Sequence, residues 1–118
     1  MSKQEFVKEA MSSEINNDRV EDITKIYDTD LSDELKHFIS YADTIDFFDD
    51  ERRALSYDEI KNPQKQIGVD FTKMRLIPVV DAYDNTYIAY SVEKKKWVKY
   101  NTIDNMEFKE RDSIQEII

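Results

Sequence analysis

The chain has no cysteine, one histidine and one glycine in 118 residues. Without cysteine there is no disulfide framework, no thiolate nucleophile and no zinc–thiolate centre, which fits a reducing compartment. A single glycine, Gly68, rules out the phosphate-cradling loops, since neither a G-x-G-x-x-G fingerprint nor a P-loop can be written. The lone His37 shares a stretch with Leu35, Phe38 and Ile39, at an angle that turns it outward on a helix. A Ser-His or Cys-His catalytic pair therefore has no base. No apolar run approaches the ~20 residues that span a bilayer, so no membrane association is expected. The opening MSKQEFVKEAMSSE shows no secretory h-region. A cytoplasmic location is the expectation.

Acids are abundant: 26 Asp and Glu against 17 Lys and Arg, a net charge of −9. That balance repels phosphate backbones and anionic lipid, so direct nucleic-acid binding is not expected, and it speeds encounter with a basic partner. A solvated surface explains much of the acidity without any partner.

The first half has helical spacing. Ser2 and Glu5 form an S-x-x-E box ahead of Phe6, Val7, Ala10 and Met11, which share one stripe. The polar run Ser12 to Asn17 breaks it, and Asp18 with Glu21 is positioned to cap a second helix bearing Val20, Ile23, Ile26 and Tyr27. Ser32 caps a third, in which Asp33 and Glu34 suit the positive end of the helix dipole and Leu35, Phe38 and Ile39 face inward.

The second half changes period. The runs RLIPVVDAY, TYIAYSV and KWVKYN are short and rich in β-branched and aromatic residues. Asp84-Asn85 and Glu93 to Lys96 are their hairpin loops, the latter expected as a four-residue loop around a type I turn. Ile88, Tyr90, Val92 and Trp97 share one face, and Tyr87, Ala89, Val98 and Tyr100 the other. Helices are expected to cover one face and leave the other partly wet. Pro78 implies an edge strand or a bulge. Between the halves, Thr44 to Phe48 is expected as a strand, Asp49 to Glu51 as its turn and Arg53 to Leu55 as the return strand; Ser56 and Glu59 then box a helical turn. Ser113 and Glu116 box a closing helix. The result is one α+β domain over residues 1–118: N-terminal helices packed on an antiparallel meander, with a short C-terminal helix.

The carboxylates Asp46, Asp49, Asp50 and Glu51 are the sharpest metal candidate, because hard cations take several converging carboxylates. The EF-hand pattern fails for want of its glycine and terminal glutamate, as it does at Asp28, Asp30 and Asp33. Neighbouring strand residues also point to opposite faces. No metal and no cofactor are expected. Lys94, Lys95, Lys96 and Lys99 interleave with Trp97 and Tyr100 in the manner of a nucleic-acid platform. A hairpin tip whose lysines guard a sheet edge is the simpler reading.

Three segments resemble the SUKH superfamily of bacterial immunity proteins and fungal cell-wall-regulator relatives. LSDELKHFISYADTIDFFDD resembles its opening helix and first strand, and RALSYDEI its strand and capped turn. LIPVVDAYDNTYIAYSVEKKKWVKYN, with DSIQEII, resembles its long hairpin, Trp-bearing strand and closing helix. The likeness runs from Val20 to Ile118. Where that family carries a glycine-rich loop between hairpin strands, this chain has Ala82-Tyr83-Asp84-Asn85, and Ala42-Asp43 replaces an asparagine-glycine. The resemblance implies a non-enzymatic antidote that binds a cognate toxin domain, basic and of nuclease type; a monomer or weak homodimer is expected. Asp46, Asp49, Asp50, Glu51, Asp81, Tyr83 and Asp84 are the expected partner-binding residues. A regulatory scaffold for an endogenous partner is the alternative, and a small carboxylate-dependent hydrolase a third reading.

Overall fold

The computed structural model describes residues 2–42 and 52–118. Three helices come first: α1 (Lys3–Ser12), α2 (Asn17–Tyr27) and α3 (Asp33–Tyr41). The two-residue strand β1 (Arg53–Ala54) is followed by three short helices, α4 (Tyr57–Lys61), α5 (Pro63–Ile67) and α6 (Phe71–Met74). Strands β2 (Leu76–Asp81), β3 (Thr86–Ser91), β4 (Lys96–Asn101) and β5 (Met106–Arg111) form a meander, and α7 (Ile114–Ile117) closes the chain. The sheet order is β1-β2-β3-β4-β5, antiparallel throughout. This is the expected α+β architecture.

Local chemistry explains most of the element starts. The side-chain oxygens of Ser2, Ser32, Ser56 and Ser113 each accept from the backbone N–H three residues on. The second helix departs from expectation: Asn16, not Asp18, is its cap, and its Oδ1 accepts from Arg19 N. Both residues are competent caps, and the earlier one lengthens the helix by two residues. His37 also departs from expectation. It is half-buried, with Nδ1 3.0 Å from Ser13 O, while Ser13 Oγ donates to His37 O at 3.1 Å. Those two bonds hold the α1–α2 connection against α3.

The alternation across the hairpin is as expected. Ile88, Val92 and Trp97 lie in the main core beneath the helices, while Ala89, Val98 and Tyr100 lie in a second cluster on the opposite face. That second face is drier than anticipated, because Phe71 of α6 stacks edge-on against Tyr87 and Tyr100 at 5.2 and 5.8 Å between centroids. Pro78 sits at a register shift opposite β3, a bulge as expected. Arg53 and Ala54 pair with Asp81 and Val80 of β2, making this segment the outer strand of the meander. The expected strand Thr44 to Phe48 lies outside the described residues. The four-residue loop is present but shifted by one: Ser91 and Lys96 close the ladder, and Lys95 takes φ 57°. Lys94 of the loop pairs with Glu107 and Glu110 of β5, and Lys96 at the start of β4 pairs with Asp112 just beyond β5. No helix among the described residues is long and apolar enough to cross a membrane.

Trp97 ties the layers together. It is 1% exposed, packs edge-on against Phe38 and Tyr90, and donates its indole N–H to Glu34 Oε1. The same oxygen accepts from the backbone N–H of Ile114 at 3.1 Å. One carboxylate on α3 thus satisfies a buried donor on β4 and an orphan donor at the start of α7.

Candidate interaction surface

Two turns meet at one end of the sheet. The β2–β3 turn, residues 82–85, is closed by Ala82 N donating to Thr86 O at 2.8 Å and Thr86 N to Tyr83 O at 3.1 Å. Tyr83, Asp84 and Asn85 are all left-handed, at φ 73°, 52° and 60°. Asp and Asn tolerate that region and glycine prefers it; a tyrosine there is uncommon. Backbone geometry that a glycine would ordinarily supply is imposed on a large aromatic residue, which projects 66% exposed.

The β4–β5 turn, residues 102–105, is organised by Asn101. Its Oδ1 accepts from Ile103 N at 2.9 Å and Asp104 N at 3.0 Å, and Asn105 (φ 54°) accepts from the Tyr100 hydroxyl. Thr102 joins the two turns: its N–H donates to Asn85 O at 2.8 Å and its hydroxyl to the same oxygen at 3.2 Å. Four large hydrophobic residues are exposed among those described: Tyr83, Ile103 at 74%, and Met106 and Phe108 at 53% each. Tyr83, Ile103 and Met106 all belong to this end of the sheet, with the exposed Asp84 and Asp104 beside them in the turns.

Asp81 behaves differently from the rim acid expected. Its Oδ1 accepts from Tyr83 N at 3.1 Å, and its Oδ2 lies 3.8 Å from Arg53 Nη2. Arg53 in turn makes a bidentate pair with Glu59, at 2.7 and 2.9 Å. Burial works against the Glu59 carboxylate, but hydrogen bonds from Arg53 and Ser56 outweigh it and hold Glu59 below the usual carboxylate range. The Glu59 hydrogen bond in turn raises the Arg53 pKa. Asp81 is therefore a support that fixes the turn carrying Tyr83, held by a charge-assisted network running back to the cap of α4.

Of the seven expected partner-binding residues, Tyr83 and Asp84 stand exposed together and Asp81 braces them. Asp46, Asp49, Asp50 and Glu51 lie outside the described residues. Sequence reasoning did not find Ile103, Asp104 or Met106. The available signal was an isoleucine inside the polar turn sequence NTIDN, an apolar residue in a segment that otherwise faces solvent.

No known family model, curated protein or solved structure matches the chain. The surface is therefore read from its own chemistry. It offers an aromatic ring, two aliphatic side chains and two carboxylates on a hydrogen-bonded frame. Among the described residues no three His, Asp or Glu side chains converge to hold a metal ion. Exposed apolar groups rimmed by charge are what a protein interface presents before it is covered.

Proposed function

We propose that this chain is a non-catalytic binding domain of the antidote kind, which neutralises a basic toxin domain by protein–protein contact. Its docking surface is the pair of turns at residues 82–85 and 102–105. The observation that carries this reading is that Tyr83 and Ile103, large and solvent-exposed, stand on two turns hydrogen-bonded to each other, with Met106 exposed where β5 begins. Exposure of such residues costs solubility and contributes nothing to the core, whereas Tyr is a preferred anchor in desolvated interfaces. The charge of −9 and the adjoining Asp84 and Asp104 favour a cationic partner. The SUKH resemblance of the sequence gives the partner its class: a toxin domain whose phosphate-gripping face is basic, met in the cytoplasm.

The test compares two double variants of equal charge change against a basic toxin domain encoded beside this chain. Asp84→Asn with Asp104→Lys alters the turns. Glu14→Gln with Asp30→Lys alters exposed acids elsewhere. The first is expected to slow association by about tenfold at low salt and flatten its salt dependence, with the second near wild type. Equal slowing by both would reduce the effect to net charge and remove the turns from the interface. Failure of any basic toxin domain to bind would remove the antidote reading itself.

A further inference from the structure

A cationic patch lies on the helix-bearing face of β4 and β5. In the β4–β5 register Lys99 stands directly opposite Lys109, and Trp97 opposite Arg111. Trp97 belongs to the core beneath the helices, and Lys99 is opposite the buried Ile88 on its other side, which places Lys99, Lys109 and Arg111 on that same face. Lys99 and Lys109 are half-buried. Like charges directly opposite across a ladder destabilise it. No carboxylate among the described residues lies within 4.0 Å of Lys99, Lys109 or Arg111. Lys94 of the hairpin loop, by contrast, pairs with Glu107 and Glu110 of β5, and Lys96 of β4 pairs with Asp112.

More cations gather nearby. Arg52 donates to Ile118 O at 2.7 Å, and Lys3 lines a small cleft with Val7, Gln115 and Ile118, where α1 meets α7. The Lys99 ammonium is held below its ordinary range, first by burial and then by Lys109, Arg52, Lys3 and Arg111. In a chain of net charge −9, Lys99, Lys109 and Arg111 have been brought together with no carboxylate among the described residues paired to them, at a cost to the ladder.

We propose that this face is an oxyanion-binding site for a small phosphate-bearing ligand of the diphosphate class, contacted by Lys99, Lys109 and Arg111. The facing ammoniums project from Cβ atoms ~5 Å apart, a spacing at which one phosphoryl group bridges both. The Arg111 guanidinium supplies the planar, bidentate contact that suits a second phosphoryl group. Binding neutralises the Lys99–Lys109 repulsion, so the site gains what the ladder loses. Small size follows from the rest of the molecule, because its acidic surface repels a long polyanion such as nucleic acid. This site does not depend on the toxin-binding reading.

The experiment uses the full chain with inorganic pyrophosphate as the probe, and sodium sulfate and chloride at matched ionic strength as controls. Thermal melts and amide shift titrations are the readouts. Pyrophosphate is expected to raise the melting temperature saturably and to move the amides of Lys99, Lys109 and Arg111. Lys99→Met and Lys109→Met should each weaken it by about tenfold or more, and each should melt higher than wild type without ligand, because the facing cation is relieved. Lys99→Arg should retain affinity within about threefold, and Lys95→Met, in the hairpin loop, should change neither property. An unsaturable shift, or an equal one with sulfate or chloride, would mean ionic screening and overturn the proposal. So would undiminished affinity in Lys99→Met, or a short single-stranded oligonucleotide binding more tightly than pyrophosphate.

Discussion

Trp97→Ala is expected to destabilise the fold by ~3–5 kcal/mol, the range for truncating a large buried aromatic side chain. The side chain is 1% exposed and sits where α3, β4 and α7 converge. Its removal takes ring contacts from Phe38 and Tyr90 and leaves Glu34 without the indole donor. Both losses fall on one site and compound. Against a typical total of ~5–15 kcal/mol, this is enough to leave the variant marginal. Urea unfolding followed by far-ultraviolet circular dichroism measures it, since Trp97 is the only tryptophan and its fluorescence disappears with it. Leu35→Ala, at a fully buried position in the same helix as Glu34, should cost ~2–5 kcal/mol by the cavity mechanism alone. A Trp97→Ala change under ~1 kcal/mol would mean that the α3–β4–α7 junction does not hold the layers together.

Tyr83→Ala is expected to do the reverse: little to stability and much to binding. The ring is 66% exposed, so its loss removes few internal contacts, and a surface change of that kind falls within ~0.5 kcal/mol. At the interface an aromatic anchor is worth ~2 kcal/mol or more, about 30-fold in Kd, expressed mainly as faster dissociation. Association should be nearly unchanged, in contrast to the Asp84 and Asp104 variants, whose effect is on the approach. Loss of binding with a matching loss of stability would make Tyr83 a folding residue. A Kd within about twofold of wild type would exclude it as an anchor.

The helix starts were legible because capping is local chemistry: Ser2, Ser32, Ser56 and Ser113 each announce themselves within four residues. The facing of β3 and β4 was legible because alternation is unbroken from Tyr87 to Ser91 and from Trp97 to Tyr100. The strand β5 was not. A register shift opposite Lys99/Tyr100 interrupts its alternation, and its apolar residues, Met106 and Phe108, are exposed and followed by three consecutive charges rather than burying one face. The helices α5 and α6, at five and four residues, are too short for a periodic signal. They form because Pro63 starts one, Gly68 ends it at φ 73°, and Asp70 caps the next.

At the candidate surface, Asp84 could be placed in a hairpin loop from the sequence pattern, whereas Tyr83 closed the run RLIPVVDAY and entered the loop only through the family likeness. The dual use of Asp81 could not, because its partners Arg53 and Glu59 lie more than twenty residues away and meet it only through β1–β2 pairing. The turn carrying Ile103 joins the turn carrying Tyr83 because Thr102 bonds Asn85, a contact across seventeen residues that no local pattern encodes. Glu34 is the same case on the core side: a first-turn acid whose carboxylate serves donors 63 and 80 residues away.

On the proposed reading, a basic partner covers the paired turns. Amide hydrogen exchange of the chain, free and saturated with the basic toxin domain, tests it most directly. Slowed exchange on binding is predicted at residues 82–85 and 102–106 together, with α1 and α2 unchanged. Slowing confined to α1 and α2, or to only one of the two turns, would contradict it.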